Sequence, residues 1–123
     1  MMLSRALLTG FLLVTTLLPG AGALAATPFD GNWSVLIVTD RGECDKAYRY
    51  GLAIHDGQVI YEGDASVNVS GRVSKNGAVA VRVSAGSQSA DGRGRLSGAQ
   101  GSGSWRGTGS SGTCSGTWSA ERR

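Results

Sequence analysis

From Thr27 onward, apolar residues recur at every second position. Val, Ile, Leu, Tyr and Trp stand between Ser, Gly, Thr and charged side chains. That is the period of a strand with one buried and one solvated face. No window of about 11 residues repeats apolar positions at i, i+3 and i+4, so the pattern predicts an all-β domain. Eight strands are expected, over Gly31–Val38, Ala47–His55, Gln58–Gly63, Val67–Ser74, Ala78–Ser84, Gly92–Gly98, Gly101–Gly107 and Thr113–Glu121.

Hairpin registers follow from the loop length that brings apolar faces together. Asp56-Gly57 as a two-residue type I′ turn sets Ile54 opposite Val59, Leu52 opposite Tyr61 and Tyr50 opposite Gly63. On the other face the same register sets Arg49 opposite Asp64, an expected charge pair. Asn76-Gly77 as a two-residue turn would mix the faces. A three-residue loop, Lys75 to Gly77 with Gly77 at positive φ, instead aligns Val73 with Val79, Gly71 with Val81 and Val69 with Val83. For the seventh strand, a four-residue loop from Gly98 to Gly101 sets Leu96 opposite Gly103 and Gly94 opposite Trp105.

All connections are short enough for sequential antiparallel pairing, and an even number of strands lets the last return beside the first. The expectation is an eight-stranded antiparallel up-and-down meander closing into a small barrel. Closure also removes two sheet edges that a Gly-rich chain guards poorly. The alternative is a two-sheet sandwich of the same strands.

The N-terminus follows another pattern. Arg5 precedes an apolar run from Ala6 to Leu18, Pro19-Gly20 break it, and Ala23-Leu24-Ala25 supplies a small-residue cleavage site. This is the layout of a secretory signal peptide over residues 1–25. Removing 25 of 123 residues leaves 98, enough for a single domain over residues 26–123. An exported chain, periplasmic or extracellular, with only Cys44 and Cys114 has one simple pairing, so a disulfide is expected.

Composition adds two features. A Gly-x-Trp triplet occurs three times, at Gly31-Asn32-Trp33, Gly103-Ser104-Trp105 and Gly116-Thr117-Trp118. Gly and Trp two apart on a strand share a face, so indoles can fold over bare glycine backbone and fill a narrow interior. The alternative use is an aromatic pocket for a flat ligand, lined by Trp33, Tyr48, Tyr50, Trp105 and Trp118.

The second feature is charge. Residues 26–64 hold 3 basic and 7 acidic side chains, and residues 65–123 hold 8 and 2. In the expected registers Arg72, Arg82, Arg93, Arg95 and Arg106 all point outward among serines, a face suited to an anionic envelope component or an acidic protein. Nucleic acid is not an expected partner of an exported domain without exposed interleaved aromatics. No transmembrane segment is expected after the signal, and oligomeric state is open.

The Gly-x-Trp of the first strand, with Arg122 and Arg123 after the last, resembles the calycin pattern of lipocalins, avidins and small periplasmic protease inhibitors. That resemblance implies that Trp33 packs across the barrel floor near Arg122. The stretch from Phe29-Asp30-Gly31-Asn32-Trp33 through Cys44 to Cys114-Ser115-Gly116-Thr117-Trp118 also resembles small bacterial exported proteins labelled as haem-utilisation or adhesion exoproteins.

Candidate chemistry is sparse. His55 is the sole imidazole, beside a turn and pointing outward, and it offers no acid–base pair, so no catalytic residue and no enzyme are expected. Haem ligation would fall to His55 or to Tyr48, Tyr50 and Tyr61, and no covalent attachment motif exists. No resident cofactor or metal is expected: Asp40, Glu43 and Asp45 crowd one loop but match no EF-hand spacing. Gly92-Arg93-Gly94-Arg95 reads as a strand with its arginines outward and not as a phosphate cradle. Three roles follow as expectations. The first is a non-enzymatic envelope module binding an anionic partner through the arginine face. The second is a calycin-like carrier of a small apolar or planar ligand such as haem. The third is a protease inhibitor acting through Ala26 to Asp30.

Overall fold

The computed structural model describes residues 25–64 and 66–123, together with Gly10. The expected signal peptide therefore lies almost wholly outside the described residues. Eight antiparallel strands, β1 (Gly31–Arg41), β2 (Ala47–His55), β3 (Gln58–Tyr61), β4 (Asn68–Val73), β5 (Ala78–Ala85), β6 (Gln88–Ser97), β7 (Gln100–Gly109) and β8 (Gly112–Arg122), close in sequence order into a barrel. Closure rests on a full β1–β8 ladder running from Trp33↔Arg122 to Arg41↔Ser115, so the sandwich alternative falls.

The first two hairpins adopt the expected registers. Ile54 faces Val59 and Leu52 faces Tyr61 across a turn in which Asp56 and Gly57 both take positive φ, as type I′ requires. Val73, Gly71 and Val69 face Val79, Val81 and Val83, with Gly77 at φ 94. A Cβ at Gly77 would lie 2.1 Å from the Leu96 carbonyl oxygen, so only glycine fits there.

Two expectations are corrected. The β6–β7 loop has two residues, Gly98-Ala99, not four; Leu96 faces Gly101, Gly94 faces Gly103 and Gly92 faces Trp105. Gly98 at φ 60 supports this tight turn, and the register places glycine against glycine where the indole of Trp118 needs room. The second correction concerns β3, which ends at Tyr61, so neither Tyr50–Gly63 nor Arg49–Asp64 pairs. Glu62-Gly63-Asp64 has no apolar side chain to hold the inner face. The Asp64 carboxylate instead accepts the Ser66 N–H at 2.9 Å, a local turn that leads the chain off the sheet. Arg49 instead donates to Ser34 Oγ at 3.1 Å. The β3–β4 ladder is correspondingly reduced to Gln58↔Arg72. The hairpins also run longer than expected, β6 beginning at Gln88 and β7 reaching Gly109.

Even-numbered connections and odd-numbered ones lie at opposite ends of an up-and-down barrel, and here the ends differ in kind. At one end, the turns at 56–57, 75–77 and 98–99 meet the segment 27–30, which closes a floor. Phe29, Trp33, Ile54, Val59, Val73, Leu96 and Ala120 are buried there. Trp33 Nε1 donates to the Phe29 carbonyl at 2.8 Å. The Arg122 guanidinium sits 4.9 Å from the Trp33 ring and donates to the carbonyls of Asp30 and Pro28, each at 2.7 Å. Arg122 thus covers the indole and ties β8 to the floor segment 27–30.

Asp30 fastens that floor to the first hairpin. Its carboxylate accepts the N–H groups of Asp56 at 2.7 Å and Gly57 at 3.2 Å and the Thr27 hydroxyl at 2.7 Å. Desolvation opposes its ionisation, but these donors together outweigh that and hold its pKa below the ordinary 3.8. Asp30→Ala is therefore expected to destabilise the domain by about 2 kcal/mol at neutral pH, the scale of lost hydrogen bonds to a charged group. Because the folded-state pKa is depressed, this contribution is present above the unfolded-state value and fades as the pH falls through the folded-state one. Urea titrations of both proteins at pH 7 and pH 3 check this: the gap should narrow at low pH.

Candidate functional site

Above the floor the barrel is hollow. A cavity of about 500 Å³ extends to the opposite end, where it opens among the 41–46 loop and the turns at 86–87 and 110–111. Its walls are built by the period-2 alternation: Val35 and Ile37 of β1, Leu52 of β2, Val69 of β4, and Val81 and Val83 of β5 all turn inward. The filling expected from small-and-large alternation holds at the floor and along one wall only. Trp118 lies over β6 and β7, where a Cβ at Gly94 or Gly103 would fall 2.5 or 2.6 Å from its ring atoms. Its Nε1 donates to the Arg93 carbonyl at 3.1 Å, and Trp105 Nε1 donates to the Val38 carbonyl at 2.9 Å. With both N–H groups engaged by the wall, these indoles present apolar surface to the space.

All five candidate pocket residues line this one cavity: Trp33 at the bottom, Trp105, Trp118 and Tyr50 on the walls, and Tyr48 at the mouth. Tyr48, Tyr50 and Tyr61 form a chain of rings along β2 and β3, with centroids 5.9 and 6.1 Å apart. The Tyr48 hydroxyl donates to the Asp45 carboxylate, and this hydrogen bond to an anion pushes its pKa up to about 12. Burial pushes the Tyr50 hydroxyl up as well.

The disulfide joins Cys44 in the mouth loop to Cys114 of β8, with Cα atoms 6.2 Å apart. Glu43 and Asp45, on either side of Cys44, both line the mouth. The sequence groups them with Asp40 as an acidic loop that matches no EF-hand spacing. Among the described residues, the one cluster with ligand-bearing atoms within 4.8 Å is instead Asp30, His55 and Asp56, at the far end. That cluster escaped sequence reading because 26 positions separate Asp30 from Asp56 and only closure of the floor joins them. The Asp30 carboxylate is occupied by the turn amides of Asp56 and Gly57, and the His55 side chain is 75% exposed, 3.3 Å from the Asp56 carboxylate.

The arginine face also forms. Arg72, Arg82, Arg93, Arg95 and Arg106 are all exposed on β4 to β7. The registers set Asp91 between Arg82 and Arg106, and Arg82 lies 3.8 Å from its carboxylate. Arg95 is turned toward the Asn76 carbonyl at 3.3 Å. The face carries a carboxylate at its centre, Asp91, beside an open depression lined by Ser70, Ala80, Arg82 and Arg93. Among the described residues no helix is long and apolar enough to cross a membrane. No protein-family model, no curated protein and no solved structure matches the chain.

Proposed function

We propose that the protein is a non-enzymatic binding module that holds one small apolar or planar ligand inside its barrel. The observation that carries this reading is the cavity of about 500 Å³, walled by aliphatic and indole side chains and open at one end. That volume is within the range of about 300–1,000 Å³ common for small-molecule sites. The Trp33–Arg122 stack on the floor, implied by the calycin resemblance, adds support, because calycin barrels close one end and receive ligands at the other.

The two other readings have less behind them. The arginine face offers only an open depression and carries Asp91 among its cations. The inhibitor reading needs a free N-terminal segment, yet Phe29 is buried in the floor and Asp30 is bound to the first hairpin. Haem would meet no imidazole inside the barrel, since His55 stands outside, and its ligation would fall to Tyr48, Tyr50 or Tyr61 on the cavity lining.

The test is a titration with the neutral probe N-phenyl-1-naphthylamine, read by energy transfer from Trp105 and Trp118. Saturable one-to-one binding is expected, with at least a tenfold loss in Val81→Phe, which pushes a ring into the cavity from its β5 wall. Absence of saturable binding by the wild-type protein would overturn the reading.

A further inference from the structure

The cavity has a polarity of charge that defines its ligand further. The apolar lining comes from Val, Leu, Ile, Ala, Trp and Tyr, joined by the uncharged Thr39, Gln88, Ser89 and Thr108, and the lining contains no Lys, Arg or His. Its charged members are Glu43 and Asp45, both at the mouth. The topology reinforces them. The mouth end also receives the β3–β4 connection with Glu62 and Asp64, both exposed, while the turns at 86–87 and 110–111 carry no charge. Arg41 and Lys46 flank the acidic loop but do not line the cavity. Floor cations are set apart: Arg122 is engaged by two backbone carbonyls and by Trp33.

Deepening the cavity reading, on which it rests, we infer that the ligand is an amphiphile with an apolar body and a cationic ammonium head. The body occupies the barrel and the head sits at the mouth among Glu43, Asp45 and the Tyr48 ring. Two terms favour it. Exposed carboxylates at the cavity mouth attract a cation and repel an anion as it approaches the opening. Tyrosine faces add a quadrupole attraction for ammonium groups. The hydrogen bond from Tyr48 holds the Asp45 carboxylate at the rim, and the raised Tyr48 pKa keeps that hydroxyl protonated as a donor throughout the physiological range. Among the lining residues, a ligand with a carboxylate or sulfate head meets only the like charges of Glu43 and Asp45, and the same holds for the two propionates of haem.

The experiment compares three probes with one ten-carbon tail, decyltrimethylammonium, 1-decanol and decanoate, below micelle formation, by quenching of intrinsic tryptophan fluorescence in the oxidised protein. Decyltrimethylammonium is expected to bind at least tenfold more tightly than decanoate, with decanol between them. The ratio should shrink as salt rises from 20 mM to 500 mM, because the rim charges are solvent-exposed. E43Q/D45N should bring the ratio close to one, and Asp91→Asn, on the outer wall, should leave it intact. Equal or tighter binding of decanoate, with decanol bound, would overturn the charge inference and leave the cavity reading standing. Failure of all three probes to bind would overturn both.

Discussion

Trp33→Ala is expected to lower the unfolding free energy by about 4 kcal/mol, the scale of a fully buried aromatic truncated to a methyl. For a domain of this size that corresponds to a fall of about 20 °C in Tm. Three losses combine. The indole is 1% exposed and contributes packing on every side of the floor. Its removal leaves the Phe29 carbonyl without its donor, formerly at 2.8 Å. It also deprives the Arg122 guanidinium of the ring 4.9 Å away, leaving that charge held to the floor by the Asp30 and Pro28 carbonyls alone. Trp33→Phe separates these terms, since it retains most of the apolar contact and loses the N–H; its cost should be less than half that of alanine. Urea midpoints at constant m-value measure both. A Trp33→Ala change below about 1 kcal/mol, the size expected of an ordinary surface site, would show that the floor does not anchor the barrel.

Replacing both cysteines, C44S/C114S, should cost about 4 kcal/mol, because the bond closes a loop with a sequence separation of 70. Its origin lies chiefly in the unfolded chain, which gains freedom once the link is gone. The effect should therefore appear as a lower urea midpoint with a larger m-value, since a freer unfolded chain exposes more surface. Measuring the wild type in matched oxidised and reduced states gives the same comparison without substitution. A second consequence is local. Cys44 lies between Glu43 and Asp45, and Cys114 is 1% exposed in β8, so the bond is what fixes the acidic rim over the cavity. Loss of the link should weaken ammonium preference at temperatures where the barrel remains folded. Stability typical of small domains is about 5–15 kcal/mol, so combining both changes should leave the chain unfolded near 37 °C.

The strand count, the meander and the first two hairpin registers were legible because they depend on local quantities: period-2 patterning, and turns whose residues admit positive φ. Asp56-Gly57 and Lys75 to Gly77 are of this kind, as each alternative loop would have put valines on the solvent face. The β6–β7 register was not legible. Glycine occupies Gly92, Gly94, Gly101, Gly103 and Gly107, so shifting by two residues leaves no apolar mismatch to detect. What selects the register is Trp118, supplied by β8, whose ring needs the bare backbone of Gly94 and Gly103 beneath it. The shortening of β3 is a similar case: alternation carried the strand through Gly63, while the Ser66 N–H, donating to the Asp64 carboxylate, turns the chain away sooner.

For the candidate site the division is sharper. Inward and outward assignment along each strand is a property of sequence, and it placed Trp33, Tyr48, Tyr50, Trp105 and Trp118 on one interior and five arginines on one exterior. Whether that interior is packed or empty is a property of barrel radius and of how each indole lies. It was decided by Trp118 and Trp105 turning their N–H groups to backbone carbonyls of the wall, which lays the rings against it and leaves the axis open. Likewise the sequence shows an acidic stretch beside Cys44, but only closure of β8 on β1 and the bond to Cys114 place Glu43 and Asp45 over a cavity mouth. By itself the sequence determined the strands, their faces and the sign of charge along them, because those follow from nearest-neighbour chemistry. The tertiary structure decided the register of the glycine-rich hairpin, the hollow core and the acidic rim, because each depends on residues that meet only when the barrel closes.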